Sequence, residues 1–197
     1  MSPPPEPIRS DSTSASDEER ILVQLEVQAE KLRRISQRMA SRGKELFESC
    51  VRAQQLGDNA TASMYAGEVA QLRKISSVVV KGELSLEKVA LRLRSIRDFR
   101  QAVGVVGPAI KVIQQIGSEL KDIAPEVSTS LRELDEKLDD IFISSGSVPS
   151  GFSDEAVVDQ EAKKILQEAS VVAEQRIRTS FPDMQQSYPS WEMGRRT

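Results

Sequence analysis

Histidine is absent from the 197-residue chain and cysteine occurs once, as Cys50. Without imidazoles and with a single thiol, the sequence cannot build the ligand sets of nearly every zinc site, a Ser-His or Cys-His dyad, or an internal disulfide. A phosphate-binding loop of the GxxxxGK type is missing as well. An enzyme is therefore not expected, nor a metal, a cofactor or a small-molecule substrate. Aromatic residues make up only 4% of the chain, too few for a sandwich core, whereas the abundant Leu, Val, Ile and Ala suit long helices. Apolar runs stay well short of the ~20 residues that span a bilayer. The opening stretch MSPPPEPIRSDSTSASDEE is Pro/Ser-rich and acidic, unlike a secretory signal or an amphipathic anchor. The expectation is a cytoplasmic all-α protein with a disordered arm over residues 1–16.

The stretch AEKLRRISQRMASRGKELFESC, residues 29–50, shows the pattern that organises the chain. Wound as a helix, it aligns Leu32, Met39 and Leu46 at heptad spacing, with Ala29, Ser36, Gly43 and Cys50 beside them. Ser16 or Asp17 can cap this helix, and Glu18 and Glu19 suit the positive end of its dipole. Nothing interrupts it before LGDN at 56–59, a turn in which Asp58 or Asn59 can cap a second helix. That helix repeats the seam at strict sevens: Tyr65, Leu72, Val79, Leu86 and Leu93. Sustained heptads joined by a short turn predict an antiparallel hairpin over 17–103 with coiled-coil packing along its length. Gly43, unfavourable inside a helix, implies the close approach of another helix at that point on the seam.

VGVVGP at 103–108 reads as a joint: Gly104 can end a helix and Pro108 suits the first turn of the next. Gly104, Gly107 and Pro108 are either a simple helix end or a hinge between folded and extended forms. Short helices are expected over 108–122 and 125–142, the second with an apolar stripe of Val127, Leu131, Leu134, Leu138 and Ile141. Residues 143–153 have linker chemistry, a regulatory helix is expected over 154–180, and 181–197 form a flexible tail.

Charge is unevenly distributed. Residues 20–56 and 57–114 each carry a net +4, whereas 115–161 carry a net −9. On the first helix Lys31, Arg34, Arg38 and Arg42 share one face, and on the second Lys74, Lys81, Lys88 and Arg92 do the same. Such rows can be the solvated flanks of a coiled coil. They can also meet an anionic membrane, where each cation contributes ~1 kcal/mol, a marginal affinity that side-by-side assembly multiplies. Nucleic acid is not expected as a partner, because no aromatics interleave with the rows. The acidic residues Glu133, Asp135, Glu136, Asp139 and Asp140 are tethered near the rows and could fold back to mask them.

GDNATASMYAGEVAQLRKI at 57–75, LSLEKVALRLRSI at 84–96 and VGPAIKVIQQIGSELKDIAPEVSTSLRELDEKLDDI at 106–141 resemble the core of the ESCRT-III superfamily. The likeness is greatest to its archaeal cell-division branch, the CdvB-type proteins, and covers about residues 20–142. The resemblance implies a long helical hairpin followed by shorter helices. It also implies polymerisation with itself and with paralogous subunits on acidic lipids at the inner face of the cell membrane, and an autoinhibitory C-terminal region. Filament remodelling by an AAA+ ATPase of the CdvC type is implied too, and Phe181, Pro182, Met184, Tyr188 and Pro189 loosely resemble the proline-based motif such an ATPase grips. The chain departs from the family's founding archaeal member in having no pattern for a winged-helix extension, as expected of a shorter paralogue. The competing expectation is a soluble coiled-coil adaptor with no membrane activity.

Overall fold

The computed structural model describes residues 11–96, 99, 102–144 and 152–181. It holds five helices: α1 (Asp11–Gln55), α2 (Asn59–Arg94), α3 (Val103–Glu119), α4 (Pro125–Ser144) and α5 (Phe152–Ser180), with no strand among the described residues. The first helix starts earlier than its capping residues suggest and has 45 residues, a rod of roughly 67 Å.

The turn between α1 and α2 follows from local chemistry. Gly57 takes φ +75°, the left-handed conformation that glycine adopts without strain. Its N–H reaches Gln54 O at 3.1 Å and that of Asp58 reaches Ala53 O at 3.0 Å, so two carbonyls orphaned at the end of α1 are satisfied. Asp58 then serves the next helix, its carboxylate accepting from Thr61 N–H at 3.0 Å. The two arms lie antiparallel, with Leu32, Leu46, Cys50, Val69, Val79, Leu86 and Leu93 all buried.

The second arm ends at Arg94, short of the expected 103. Ser95 closes it, its hydroxyl donating to Arg92 O at 2.6 Å. The chain then tucks Phe99 into the core at 1% exposure, and the buried carboxylate of Glu18 accepts the Phe99 N–H at 3.0 Å. Burial of an aromatic ring outweighs the helical propensity of these residues, and this contact spans 81 positions of sequence. As a result Gly104, Gly107 and Pro108 lie inside α3 and not between helices, and Pro108 is buried. A hinge at those residues is not where the helix axis breaks; α2 ends at Arg94 and α3 begins at Val103.

Nor is the molecule a bare needle. At the end away from the turn, α3 contributes Val106, Ile113, Ile116 and Leu120 to one core with Leu25, Leu32, Leu86 and Leu93 of the hairpin. Leu131, Leu134 and Leu138 of α4 and Ile165 and Leu166 of α5 complete it. Gly82 of α2 admits this packing: a methyl group there would come within 3.3 Å of Ile116 and Leu32. The α4 apolar stripe faces inward as its spacing predicts. In α5, Ala173 is buried and the larger Val172 beside it is 42% exposed.

Candidate functional site

The two basic rows have different fates. On α1, Lys31, Arg34, Arg38 and Arg42 are exposed. Arg34 contacts Glu30 at 3.1 Å and Arg42 contacts Glu45 at 3.0 Å, both within the same helix. Lys31 and Arg38 form no ion pair among the described residues. Lys31, Arg34 and Arg38 line a cleft of about 380 Å³ shared with Ile35 and the first turn of α4, Pro125 to Val127. The amino-terminal end of a helix carries partial positive charge, but Glu126 lines the same cleft and Arg34 is held by Glu30, so Lys31 and Arg38 are the cations this side leaves without an ion pair among the described residues.

On α2 only Lys74 is exposed without an ion pair among the described residues. Lys81 is bound by both carboxylate oxygens of Glu119, at 2.9 and 3.0 Å. Lys88 pairs with Glu168, and Arg92 with Glu161 at 3.0 Å. Lys81 and Lys88 are therefore occupied in this conformation and do not face outward as their spacing alone suggests. Their partners come from α3 and α5.

Helix α5 runs antiparallel to α2, and charge sets its register. Glu161, Glu168 and Arg176 meet Arg92, Lys88 and Glu83 in turn. Two acids and then a base on α5 oppose two bases and then an acid on α2, so a displaced register would bring like charges together. Lys111 of α3 adds a longer pair with Asp159 at 3.8 Å. The innermost member, Glu83, is 1% exposed and bridges three helices: Arg33 Nε of α1 at 3.1 Å and Arg176 Nη1 of α5 at 3.0 Å. The Glu83 hydrogen bond, followed by the charge of Glu87, raises the pKa of Arg33 above its ordinary value.

The acidic residues of α4 do not perform the masking expected of them. Glu133, Glu136 and Asp140 are exposed and Asp135 and Asp139 half-buried, and none pairs with a basic row among the described residues. The inward α4 stripe turns this face to solvent. Asp135 accepts instead from Gln114 Nε2 at 3.1 Å, and burial raises its pKa against that hydrogen bond. Glu119, Glu161 and Glu168 were the relevant acids. Their signal lay in an antiparallel comparison of the α2 and α5 charges, which the heptad pattern of α2 alone does not reveal.

Phe181 is not an exposed tail residue. It is 3% exposed, packed with Val80, Ala173 and Ile177 and against Ala40 and Leu72, with Arg73 6.0 Å from its ring centroid. Pro182, Met184, Tyr188 and Pro189 lie outside the described residues, as do residues 1–10 of the amino-terminal arm and 145–151 of the linker. Among the described residues no cluster of acids or Cys50 could hold a metal ion, and no helix is long and apolar enough to cross a membrane.

A long antiparallel hairpin, thickened at its open end by shorter helices and flanked by a returning fifth helix, defines an all-helical protein of ESCRT-III-like class. The chain is 39% identical over 147 residues to Cell division protein B1 of Sulfolobus acidocaldarius, covering 75% of this chain and 69% of that protein. It is 30% identical over 176 residues to Cell division protein B of the same organism, covering 89% of this chain and 67% of that one. The chain belongs to the CdvB-type family of ESCRT-III proteins. No protein-family model matches it, and no solved structure does.

Proposed function

We propose that this chain is a filament subunit that assembles on the cytoplasmic face of an anionic membrane and remodels it during cell division. The two division proteins it resembles support the setting. The observation that carries the reading is the contrast between the rows: on α1, Lys31 and Arg38 are exposed with no ion pair among the described residues and Arg34 and Arg42 pair only with exposed acids of the same helix, while Lys81, Lys88 and Arg92 of α2 are neutralised by α3 and α5. The state described is then the closed form. Undocking α5 frees Lys88 and Arg92 and adds a second set of lipid contacts to the first. The closed chain touches lipid weakly through α1, and the open chain binds firmly once neighbouring copies hold it to the surface.

The protein acts without turnover of its own, and its partners are further copies and paralogous subunits, acidic lipids, and a CdvC-type AAA+ ATPase that engages the carboxy-terminal region. Flotation of the full-length chain with anionic and neutral vesicles, followed by negative-stain microscopy, tests the proposal. Lys31→Glu/Arg34→Glu/Arg38→Glu should weaken anionic binding about 100-fold or more, three cations at ~1 kcal/mol each. Glu161→Lys/Glu168→Lys, which repels α5 from α2, should lower the concentration at which filaments form. A chain that remains a discrete oligomer and ignores anionic vesicles in every variant would be a soluble coiled-coil adaptor.

A further inference from the structure

Gly43 occupies the middle of a 45-residue helix, where glycine is the poorest choice after proline. The neighbouring arm does not explain it, because a Cβ on Gly43 would meet no atom of α2 among its nearest contacts. It would lie 2.5 Å from Cε1 and 2.8 Å from Cδ1 of the Phe181 ring, far inside van der Waals contact. The notch left by the missing side chain is filled by an aromatic ring one residue past the end of α5. The Phe181 N–H still bonds to Ile177 O at 3.1 Å, so the ring is delivered on a continuous helical backbone.

The ion pairs are poorly suited to hold α5 alone. Lys88 and Glu168 are 33% and 45% exposed, Arg92 and Glu161 34% and 39%, and pairs open to water contribute little. Arg176 meets the buried Glu83 but is itself 46% exposed, which limits what that pair contributes. Apolar burial attaches α5 at two places: Ala162, Ile165 and Leu166 sit in the main core, and Ala173, Ile177 and Phe181 form a separate buried cluster with Val80, of which Phe181 is the largest member. It also joins all three long helices, through Ala40 and Gly43 of α1, Leu72, Arg73 and Val80 of α2, and Ile177 of α5.

We infer that Phe181 is a plug whose seat is the Gly43 notch, and that withdrawal of this ring is the step that frees the carboxy-terminal half of α5 from the hairpin and begins its release. The ion pairs set the register of docking and the plug sets its persistence. This inference rests on α5 being the element that closes the molecule, as proposed above. It gives whatever engages the chain beyond Phe181 one side chain to extract first, before the carboxy-terminal half of α5 peels away and leaves Ile165 and Leu166 as the remaining apolar hold.

Hydrogen exchange of the full-length protein, read over α1, α2 and residues 156–180, tests it. Phe181→Ala should speed exchange in α5 by about tenfold or more, as expected for deleting a large buried ring. Gly43→Ala should do the same by filling the seat, while exchange within α1 slows because alanine is the better helix former. The double variant should exchange in α5 no faster than either single one. Gly67→Ala serves as control: nothing lies within 4 Å of the added methyl, so it should leave α5 unchanged. Because Gly43→Ala adds atoms and removes none, its effect cannot be ascribed to a cavity. Unchanged α5 protection in both single variants overturns the plug. Faster α5 exchange with no gain in vesicle binding or filaments retains the plug and refutes the proposed membrane function.

Discussion

Replacing Glu83 with Gln tests whether the three-helix contact at the centre of the molecule is cohesive. The substitution keeps the shape and removes the charge at a site 1% exposed. It weakens two charge-assisted hydrogen bonds, from Arg33 at 3.1 Å and Arg176 at 3.0 Å. Such bonds contribute ~1.5–3 kcal/mol each when sheltered. Both guanidinium partners are about half exposed, at 45% and 46%, so water recovers part of the loss and about 1 kcal/mol each is the better figure. The expected loss is therefore about 2 kcal/mol in urea unfolding followed by circular dichroism. Glu87→Gln is the control. Glu87 pairs with Arg33 too, but its side chain is 38% exposed, and its loss should be below about 0.5 kcal/mol. A cycle of Glu83→Gln with Arg176→Gln should show coupling of about 1 kcal/mol, because the pair is in direct contact. If Glu83→Gln costs no more than Glu87→Gln, or if the cycle is additive, the bridge is incidental and the argument for it fails.

Gly82→Ala should leave thermal stability nearly unchanged, since a helix-propensity gain of ~1 kcal/mol meets contacts of 3.3 Å to Ile116 and Leu32. Gly82→Val should lose about 1–3 kcal/mol to overpacking. Asp58 has its pKa lowered by the hydrogen bonds from Thr61. Its cap therefore stabilises the fold above the unfolded value of about 3.9, and the melting-temperature gap to Asp58→Ala should close as pH falls through the lower folded value. Asp135 behaves oppositely: burial raises its folded pKa, so the stability linked to its protonation is lost as pH rises through that value. Asp135→Asn should thus melt higher than wild type near neutral pH, with the advantage shrinking on acidification.

The hairpin was legible because its determinants are local or periodic. Gly57 and Asp58 specify the turn through bonds spanning no more than five residues. Heptads at Leu72, Val79, Leu86 and Leu93 repeat at the helical period, so their shared face needs no knowledge of what covers it. The inward stripe of α4 is of the same kind. The end of α2 at Arg94 was not legible, since the heptad pattern carries no sign of the burial of Phe99 or of its bond to Glu18, 81 positions away.

Sequence alone determined which residues line each face: apolar seams, a basic row on α1, another on α2, an acidic face on α4. Spacing along a helix is a one-dimensional property, and a face follows from it. Which charged face meets which was decided by the tertiary structure. The α4 acids looked complementary to the rods, yet the inward pull of Leu131, Leu134 and Leu138 turns them to water, and Glu161 and Glu168 dock on α2 in their place. Gly43 has the same history: its place on the seam suggested a closely packed helix, and it is the ring of Phe181, 138 positions away in sequence, that is brought against it. Burial of apolar side chains from distant segments chooses these partners, and periodicity within one helix carries no record of that choice.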